Sequence, residues 1–111
     1  MYMKNSPESL RQLLSELKAE LDALYGAKIK NVYLYGSYAR KEQEKGSDFD
    51  IILVLDDFGH YMGEIERTGD LVSALSLKYG LSISRVFIRE SEWLHQQTLF
   101  LSNARKEAIA A

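Results

Sequence analysis

The leucines near the start of the chain recur at helical spacing, and this pattern predicts the first element. Residues 6–26 read SPESLRQLLSELKAELDALYG. Ser6 is a suitable N-cap, Pro7 suits a first turn, and Gly26 suits a helix end. An apolar stripe of this kind is typical of a helix that covers a sheet. We expect the following residues to face that sheet: Leu10, Leu13, Leu14, Leu17, Leu21 and Leu24.

Three later apolar runs predict strands. The run IKNVYLY (29–35) is rich in aromatic and β-branched residues, and LSISRVFI (81–88) has a similar character. The run DIILVL (50–55) is apolar at successive positions, which is typical of a central strand covered on both faces. A short helix or helical turn is predicted in SYARKEQE (37–44).

A second long helix is predicted over residues 61–79, ending at Gly80. Its inward residues would be Ile65, Val72, Leu75 and Tyr79. From Ser91, a plausible cap, the chain is predicted to be helical to its end, with Leu94, Leu101 and Ala108 packing inward. The order α-β-α-β-α-β-α predicts an α/β (α+β) fold, a small mixed sheet of three strands with flanking helices in two or three layers.

Composition narrows the class of protein. The 111 residues, 46% of them hydrophobic, are enough for one domain over 1–111. The formal net charge is −2 and the basic residues are scattered, which argues against direct nucleic-acid binding through a basic face. Without cysteine there is no disulfide or thiolate chemistry, which suits a reducing cytosol. We find neither an apolar signal segment in residues 1–10 nor a membrane span, and expect a cytoplasmic protein.

Two aspartates stand in alternation where the central strand begins. Residues two apart in a strand point to the same side, about 6.5 Å apart. Asp48 and Asp50 would therefore project together, with Phe49 turned to the opposite side. Like charges held this close repel each other, and a divalent cation such as Mg²⁺ or Mn²⁺ removes the conflict. The pair predicts a metal site.

A Gly-Ser pair follows the first strand. Unpaired amides at this position form an anion site, and Gly36 lets a phosphate approach the backbone. Ser37 adds a hydroxyl, and Arg40 could reach the same phosphate. Taken singly, these features have ordinary interpretations as a turn, a solvated loop end and a surface arginine. Together, at neighbouring strand ends, they predict a site for a nucleoside triphosphate bound through a metal ion.

The segment LYGSYARKEQEKGSDFDIILVL resembles the minimal nucleotidyltransferase family of the DNA polymerase β superfamily. Its signature is Gly-Ser, ten residues, then Asp-x-Asp between two apolar strands. The resemblance implies a palm-like fold that transfers a nucleotidyl group, usually AMP from ATP, to a hydroxyl. It also implies that Asp48 and Asp50 are catalytic and hold two metal ions, one activating the acceptor and one steadying pyrophosphate. Gly36 and Ser37 would then bind the triphosphate.

The third apolar run departs from the family pattern. Active relatives generally carry a third carboxylate there, but LSISRVFI contains no acid. Register against the family pattern places Ser84 at that position, with Ser82 as the alternative. Glu90 and Glu92 lie past the strand end and are expected in the next helix. Nucleotide binding is therefore expected, while catalysis stays open.

The family resemblance also bears on partners. Relatives are often paired with HEPN-domain proteins as antitoxin and toxin, so we expect a separate protein acceptor and a homo- or hetero-oligomer. Two hypotheses remain open: an antitoxin that transfers AMP to its HEPN partner, or a module that neutralises the partner by binding alone. Transfer to a small molecule such as an aminoglycoside is a less favoured third, because few residues remain for a drug-binding domain.

Several polar and aromatic residues outside the motif receive simpler interpretations. Asp56 and Asp57 are expected in a loop or as a helix cap, and His60 and His95 at the surface or in an interface. Four further aromatic residues receive individual predictions. Three are expected to pack, and one, Tyr38, lies close enough to the motif to stack on a base; the packing residues are Tyr33, Tyr35 and Trp93.

Overall fold

The computed structural model describes residues 6–111. Helix α1 (Pro7–Tyr25) begins as predicted, because the Ser9 amide donates to Ser6 Oγ at 3.1 Å. It ends at Gly26, whose φ of 57° is unfavourable for other residues. A 3₁₀ turn at Gly26–Lys28 leads into the sheet. Residues 1–5 lie outside the described residues, so this part of the segment 1–10, for which no signal sequence was predicted, is not described.

The centre of the fold is a four-stranded mixed sheet in the order β3-β2-β1-β4. β1 is antiparallel to β2 and to β4, whereas β2 and β3 are parallel. The predicted mixed sheet is confirmed, with one short edge strand beyond the three that were predicted. The strands are β1 (Ile29–Tyr35), β2 (Phe49–Leu55), β3 (Ile83–Arg89) and β4 (Ile109–Ala110).

The helices between the strands follow from local sequence. α2 (Ser37–Arg40) is a single turn between β1 and β2, shorter than the predicted segment because Lys41 takes a left-handed conformation with φ 58°. α3 (Tyr61–Tyr79) crosses from β2 to β3 and ends at Gly80, as predicted. Within residues 6–111, no helix has the length and apolar character needed to cross a membrane.

The C-terminal prediction of one continuous helix is wrong. The chain forms α4 (Glu90–His95), α5 (Leu99–Glu107) and then β4. α4 begins after Arg89 rather than at Ser91, because the Glu92 side chain accepts the Arg89 amide at 3.1 Å.

The interruption also changes which side chains pack. α5 begins at Thr98, whose Oγ1 accepts the Leu101 amide at 3.2 Å. Leu94 is 61% exposed, so its predicted packing is wrong: the helix stops at His95 and the stripe does not continue. Leu101 is buried as predicted, and Ala108 is partly buried just after α5.

Both faces of β2 are buried, which makes the domain three layers deep. The face bearing Phe49, Ile51 and Leu53 packs against α1 and α3. The face bearing Ile52 and Val54 packs against residues of α4 and α5. The inward positions predicted for α1 and α3 are confirmed except at Leu24, which is 40% exposed near the end of α1. The fully or partly buried residues are Leu10, Leu13, Leu14, Leu17, Leu21, Ile65, Val72, Leu75 and Tyr79.

Candidate active site

Gly36 lies directly against Asp50. Its backbone has φ 76° and ψ −152°, a combination that side-chain-bearing residues rarely adopt. A Cβ atom at this position would lie 2.5 Å from Asp50 Oδ2. The conformation therefore favours glycine strongly, and any larger residue would also displace the Asp50 carboxylate. This close approach joins the Gly-Ser turn after β1 to the aspartate pair at the start of β2.

The two aspartates differ in environment. Asp48 is exposed just before β2, and Asp50 is half-buried within the strand. Phe49 between them is 1% exposed and points into the opposite layer, as predicted. Burial raises the pKa of Asp50, the charge of Asp48 raises it further, and Arg40 lowers it. A cation between the carboxylates would favour the ionised form of Asp50.

Arg40 ends α2 beside the site, as its effect on the pKa of Asp50 indicates. Its guanidinium Nε donates to Glu42 Oε1 at 3.1 Å, and another of its nitrogens lies 3.6 Å from Glu107 Oε2. The arginine is 43% exposed and both partners are exposed. Ion pairs of this kind are weak, so a phosphate could replace either carboxylate.

Ser37 is the first residue of α2 and is partly buried. The Arg40 amide donates to the Gly36 carbonyl at 3.1 Å, and the Glu42 amide donates to the Ser37 carbonyl at 2.9 Å. These bonds close a single turn directly after the glycine. As at the start of any helix, the first amides have no acceptor within the helix, so they are suited to an anion.

Ser84 stands beside Asp50 in the parallel β2–β3 register. Residues paired in this way project from the same face of the sheet, and Ser84 is exposed. Ser82 precedes β3, and its carbonyl accepts the Phe49 amide at 2.8 Å. The serine next to the carboxylate is therefore Ser84 rather than Ser82.

Asp48 and Asp50 supply two carboxylates at the start of β2, and β3 beside them contains no third. Nowhere in 6–111 do three or more His, Cys, Asp or Glu residues form a group able to hold a metal ion. Glu90 and Glu92 belong to α4, as predicted. Two carboxylates nevertheless fit Mg²⁺, which usually binds one or two of them and takes its other oxygens from phosphates and water.

Tyr38 is not placed as predicted. Its ring is 6% exposed and packs edge-to-face on Phe49 at 5.2 Å, so it is not available to stack on a base. The other aromatic predictions are confirmed: Tyr33 stacks on the buried Trp93 at 4.8 Å, and Tyr35 also packs against the α4–α5 layer. The residues expected in a loop or at the surface are all exposed, namely Asp56, Asp57, His60 and His95.

Two residues near the site were not anticipated from the sequence. Phe100 lies against Tyr35, with ring centroids 5.7 Å apart, and Glu107 reaches Arg40. Both belong to α5, about 65 residues along the chain from their partners. No local sequence pattern signals such a contact, because it depends on how α5 crosses the sheet.

Comparison with known proteins agrees with this arrangement. Residues 14–107 match the family described as “Nucleotidyltransferase domain”. The Methanocaldococcus jannaschii protein named “Putative protein adenylyltransferase MJ0604” is 33% identical over 96 residues, which cover 86% of this chain and 83% of that protein.

Solved structures show the same fold. One, of a “putative minimal nucleotidyltransferase”, has a TM-score of 0.61 at 24% identity and covers 92% of each chain. Another, of a toxin–antitoxin with AMP-PNP, has a TM-score of 0.62 at 21% identity and covers 86% of this chain and 69% of that one. The family match spans Gly36, Ser37 and both aspartates. The chain therefore belongs to the nucleotidyltransferase domain family, as its resemblance to minimal nucleotidyltransferases predicted.

Proposed function

We propose that this protein transfers AMP from ATP to a hydroxyl group on a protein partner, in a reaction that requires Mg²⁺ or Mn²⁺. The observation that carries the proposal is the contact between Gly36 and Asp50, which puts the predicted phosphate turn and the predicted metal ligands in one place. The relative named as a protein adenylyltransferase supports a protein acceptor. The fold neighbour solved with AMP-PNP, an ATP analogue, supports the nucleotide.

In this proposal the protein acts mainly by positioning. The amides after Gly36 and the Ser37 hydroxyl hold the triphosphate, and Arg40 exchanges a carboxylate partner for a phosphate oxygen. The acceptor oxygen forms a bond to the α-phosphorus, the bond to the β-phosphate breaks, and pyrophosphate leaves while the hydroxyl proton passes to solvent. A divalent cation held by Asp48 and Asp50 would neutralise the phosphates and promote ionisation of the hydroxyl.

The proposed partner is a HEPN-domain toxin, which makes this protein an antitoxin. The support is the minimal-nucleotidyltransferase resemblance together with the toxin–antitoxin among the fold neighbours. The acidic balance of the chain, with a formal net charge of −2, favours a protein partner over direct binding of nucleic acid.

A second candidate is a binding module that neutralises its partner without transfer. The observation that favours it is the serine next to Asp50: Ser84 cannot contribute the charge that a third carboxylate would add. In this case the Asp48–Asp50 pair would still bind a metal–nucleotide complex, but transfer would be slow or absent.

The discriminating experiment uses ATP labelled either at the α- or at the γ-phosphate, with Mg²⁺ and, as the proposed partner, a purified HEPN-domain protein from the same organism. The proposed transfer labels the partner from α-labelled ATP only, and Asp50→Asn abolishes the labelling. A stable complex that never becomes labelled supports the second candidate. If the partner is neither labelled nor bound, the proposed antitoxin role is contradicted.

A further inference from the structure

Two aromatic residues, Tyr35 and the more exposed Phe100, lie on the face of the sheet that carries Asp50. Tyr35 is the last residue of β1 and pairs directly with Asp50 across the antiparallel ladder. Residues paired in this way share a face of the sheet, with Cβ atoms about 5 Å apart. The Phe100 ring lies 5.7 Å from the Tyr35 ring at an interplanar angle of 72°. The Phe100 ring therefore lies one side chain away from Asp50, within roughly 15 Å of its carboxylate.

The burial of α5 sets Phe100 apart from its neighbours on the packing side. Leu101 is 5% exposed and Ala104 is fully buried, so these residues attach the helix to the sheet. Phe100 is 41% exposed although it contacts Tyr35. Its ring is thus held in place by one aromatic contact while a large part of its surface stays open to solvent.

Other aromatic rings near the motif are already occupied. Tyr38 is buried against Phe49, and Tyr33 is stacked on Trp93. Tyr61, which is similarly exposed at 42%, packs against Phe87 on the other face of the sheet. Among residues 6–111, Phe100 is the exposed aromatic ring on the face that carries Asp50.

We infer that Phe100, held by Tyr35, is the surface on which the base of the nucleotide stacks. The inference rests on the function proposed above. A triphosphate bound at Gly36 and Asp50 would carry its base one ribose beyond the α-phosphate, which is far enough to reach a ring that stands one side chain away from Asp50. Every nucleobase presents a flat π-face, so stacking would add affinity without selecting the base.

The test compares ligands with and without a base by calorimetry. Wild type, Phe100→Ala, Phe100→Trp and the control Leu99→Ala are titrated with ATP, GTP and inorganic tripolyphosphate, each with Mg²⁺. Leu99 is the matched control, because it adjoins Phe100 on α5 and is 78% exposed. Circular dichroism verifies that each variant keeps its helices.

We expect Phe100→Ala to weaken ATP and GTP binding by the same factor, about tenfold. Binding of tripolyphosphate should not change, Phe100→Trp should retain affinity, and Leu99→Ala should match wild type for all three ligands. Equal weakening of ATP and tripolyphosphate would overturn the inference, because it would indicate a displaced α5. Unchanged ATP binding would also overturn it, including the case in which only partner binding is lost.

The same titrations separate this inference from the proposed function. If Asp50→Asn abolishes ATP binding and Phe100→Ala leaves it unchanged, the base-stacking inference fails while the nucleotide site stands. If the wild-type protein binds neither Mg²⁺-ATP nor Mg²⁺-tripolyphosphate, the proposed nucleotide site fails and the inference fails with it.

Discussion

Replacing Gly36 by alanine tests the contact on which the candidate site depends. Two separate costs are expected. The backbone at φ 76° and ψ −152° lies in a region that is essentially restricted to glycine, and holding alanine there costs about 1–3 kcal/mol. The new Cβ would also meet Asp50 Oδ2 at 2.5 Å, so the carboxylate must rotate away, at about 0.5–1.5 kcal/mol. We expect Gly36→Ala to destabilise the metal-free protein by about 1.5–4.5 kcal/mol.

Two further variants separate these costs. Gly26 has a similar backbone, with φ 57° and ψ −130°, and a Cβ there would meet nothing within 4 Å. Gly26→Ala should therefore report the backbone cost without the collision. The Asp50→Ala variant keeps only the Cβ atom at position 50, which would lie an ordinary 3.5 Å from the new Cβ at position 36. There, Gly36→Ala should cost only about as much as Gly26→Ala.

Urea unfolding of the metal-free variants measures each free energy difference, and the double-mutant cycle gives the coupling between positions 36 and 50. We expect a coupling of about 1 kcal/mol. If Gly36→Ala costs the same with and without the Asp50 carboxylate, the two residues are not in contact. The geometric basis for a joined phosphate and metal site would then be refuted.

Three other perturbations are informative. Asp50→Asn should stabilise the metal-free protein at pH 7 by less than about 1 kcal/mol, because burial and Asp48 raise the pKa of the native carboxyl. The gain should disappear as the pH falls through the raised native pKa to the pKa of the unfolded chain, which urea titrations at pH 7 and below pH 4 check. Ser84→Asp should tighten Mn²⁺ or Mg²⁺ binding and increase AMP transfer, which calorimetry and labelled ATP measure; an unchanged result in an active protein would mean that another group completes the site. Lys78→Met should lower the free energy of unfolding by about 0.2–1 kcal/mol at pH 7, because Lys78 and Tyr79 lower the pKa of Glu16. Urea unfolding should show this destabilisation becoming smaller as the pH falls through the lowered pKa of Glu16; a destabilisation that does not depend on pH would indicate lost packing instead.

Short-range signals account for the elements that could be predicted from the sequence. Ser6 and Gly26 delimit α1, and Gly80 ends α3, because caps act within one turn of the residue that supplies them. The long apolar run of β2 predicted burial on both faces, which two core layers provide. The alternation in a strand was likewise enough to predict that Asp48 and Asp50 point away from Phe49.

The C-terminal part was predicted poorly, since its structure depends on contacts with distant residues. Thr98 is a local signal that could have indicated the start of α5, but nothing local indicates that Ile109–Ala110 pairs with β1. Tyr38 follows the motif in sequence, yet the turn after Gly36 directs its ring into the core. A two-residue edge strand and a buried ring are outcomes of packing rather than of propensity.

The candidate site also contains residues that local sequence signals predict and residues that only long-range contacts bring together. The sequence alone predicted Gly36, Ser37 and the two aspartates as candidate site residues, because the chemistry of phosphate and metal binding restricts which residues can stand at strand ends. Strand register decided that Ser84 adjoins Asp50, and the path of α5 decided that Phe100 contacts Tyr35 and that Glu107 reaches Arg40. Those neighbours are set by pairing and packing between segments far apart in the chain, so only the tertiary structure could identify them.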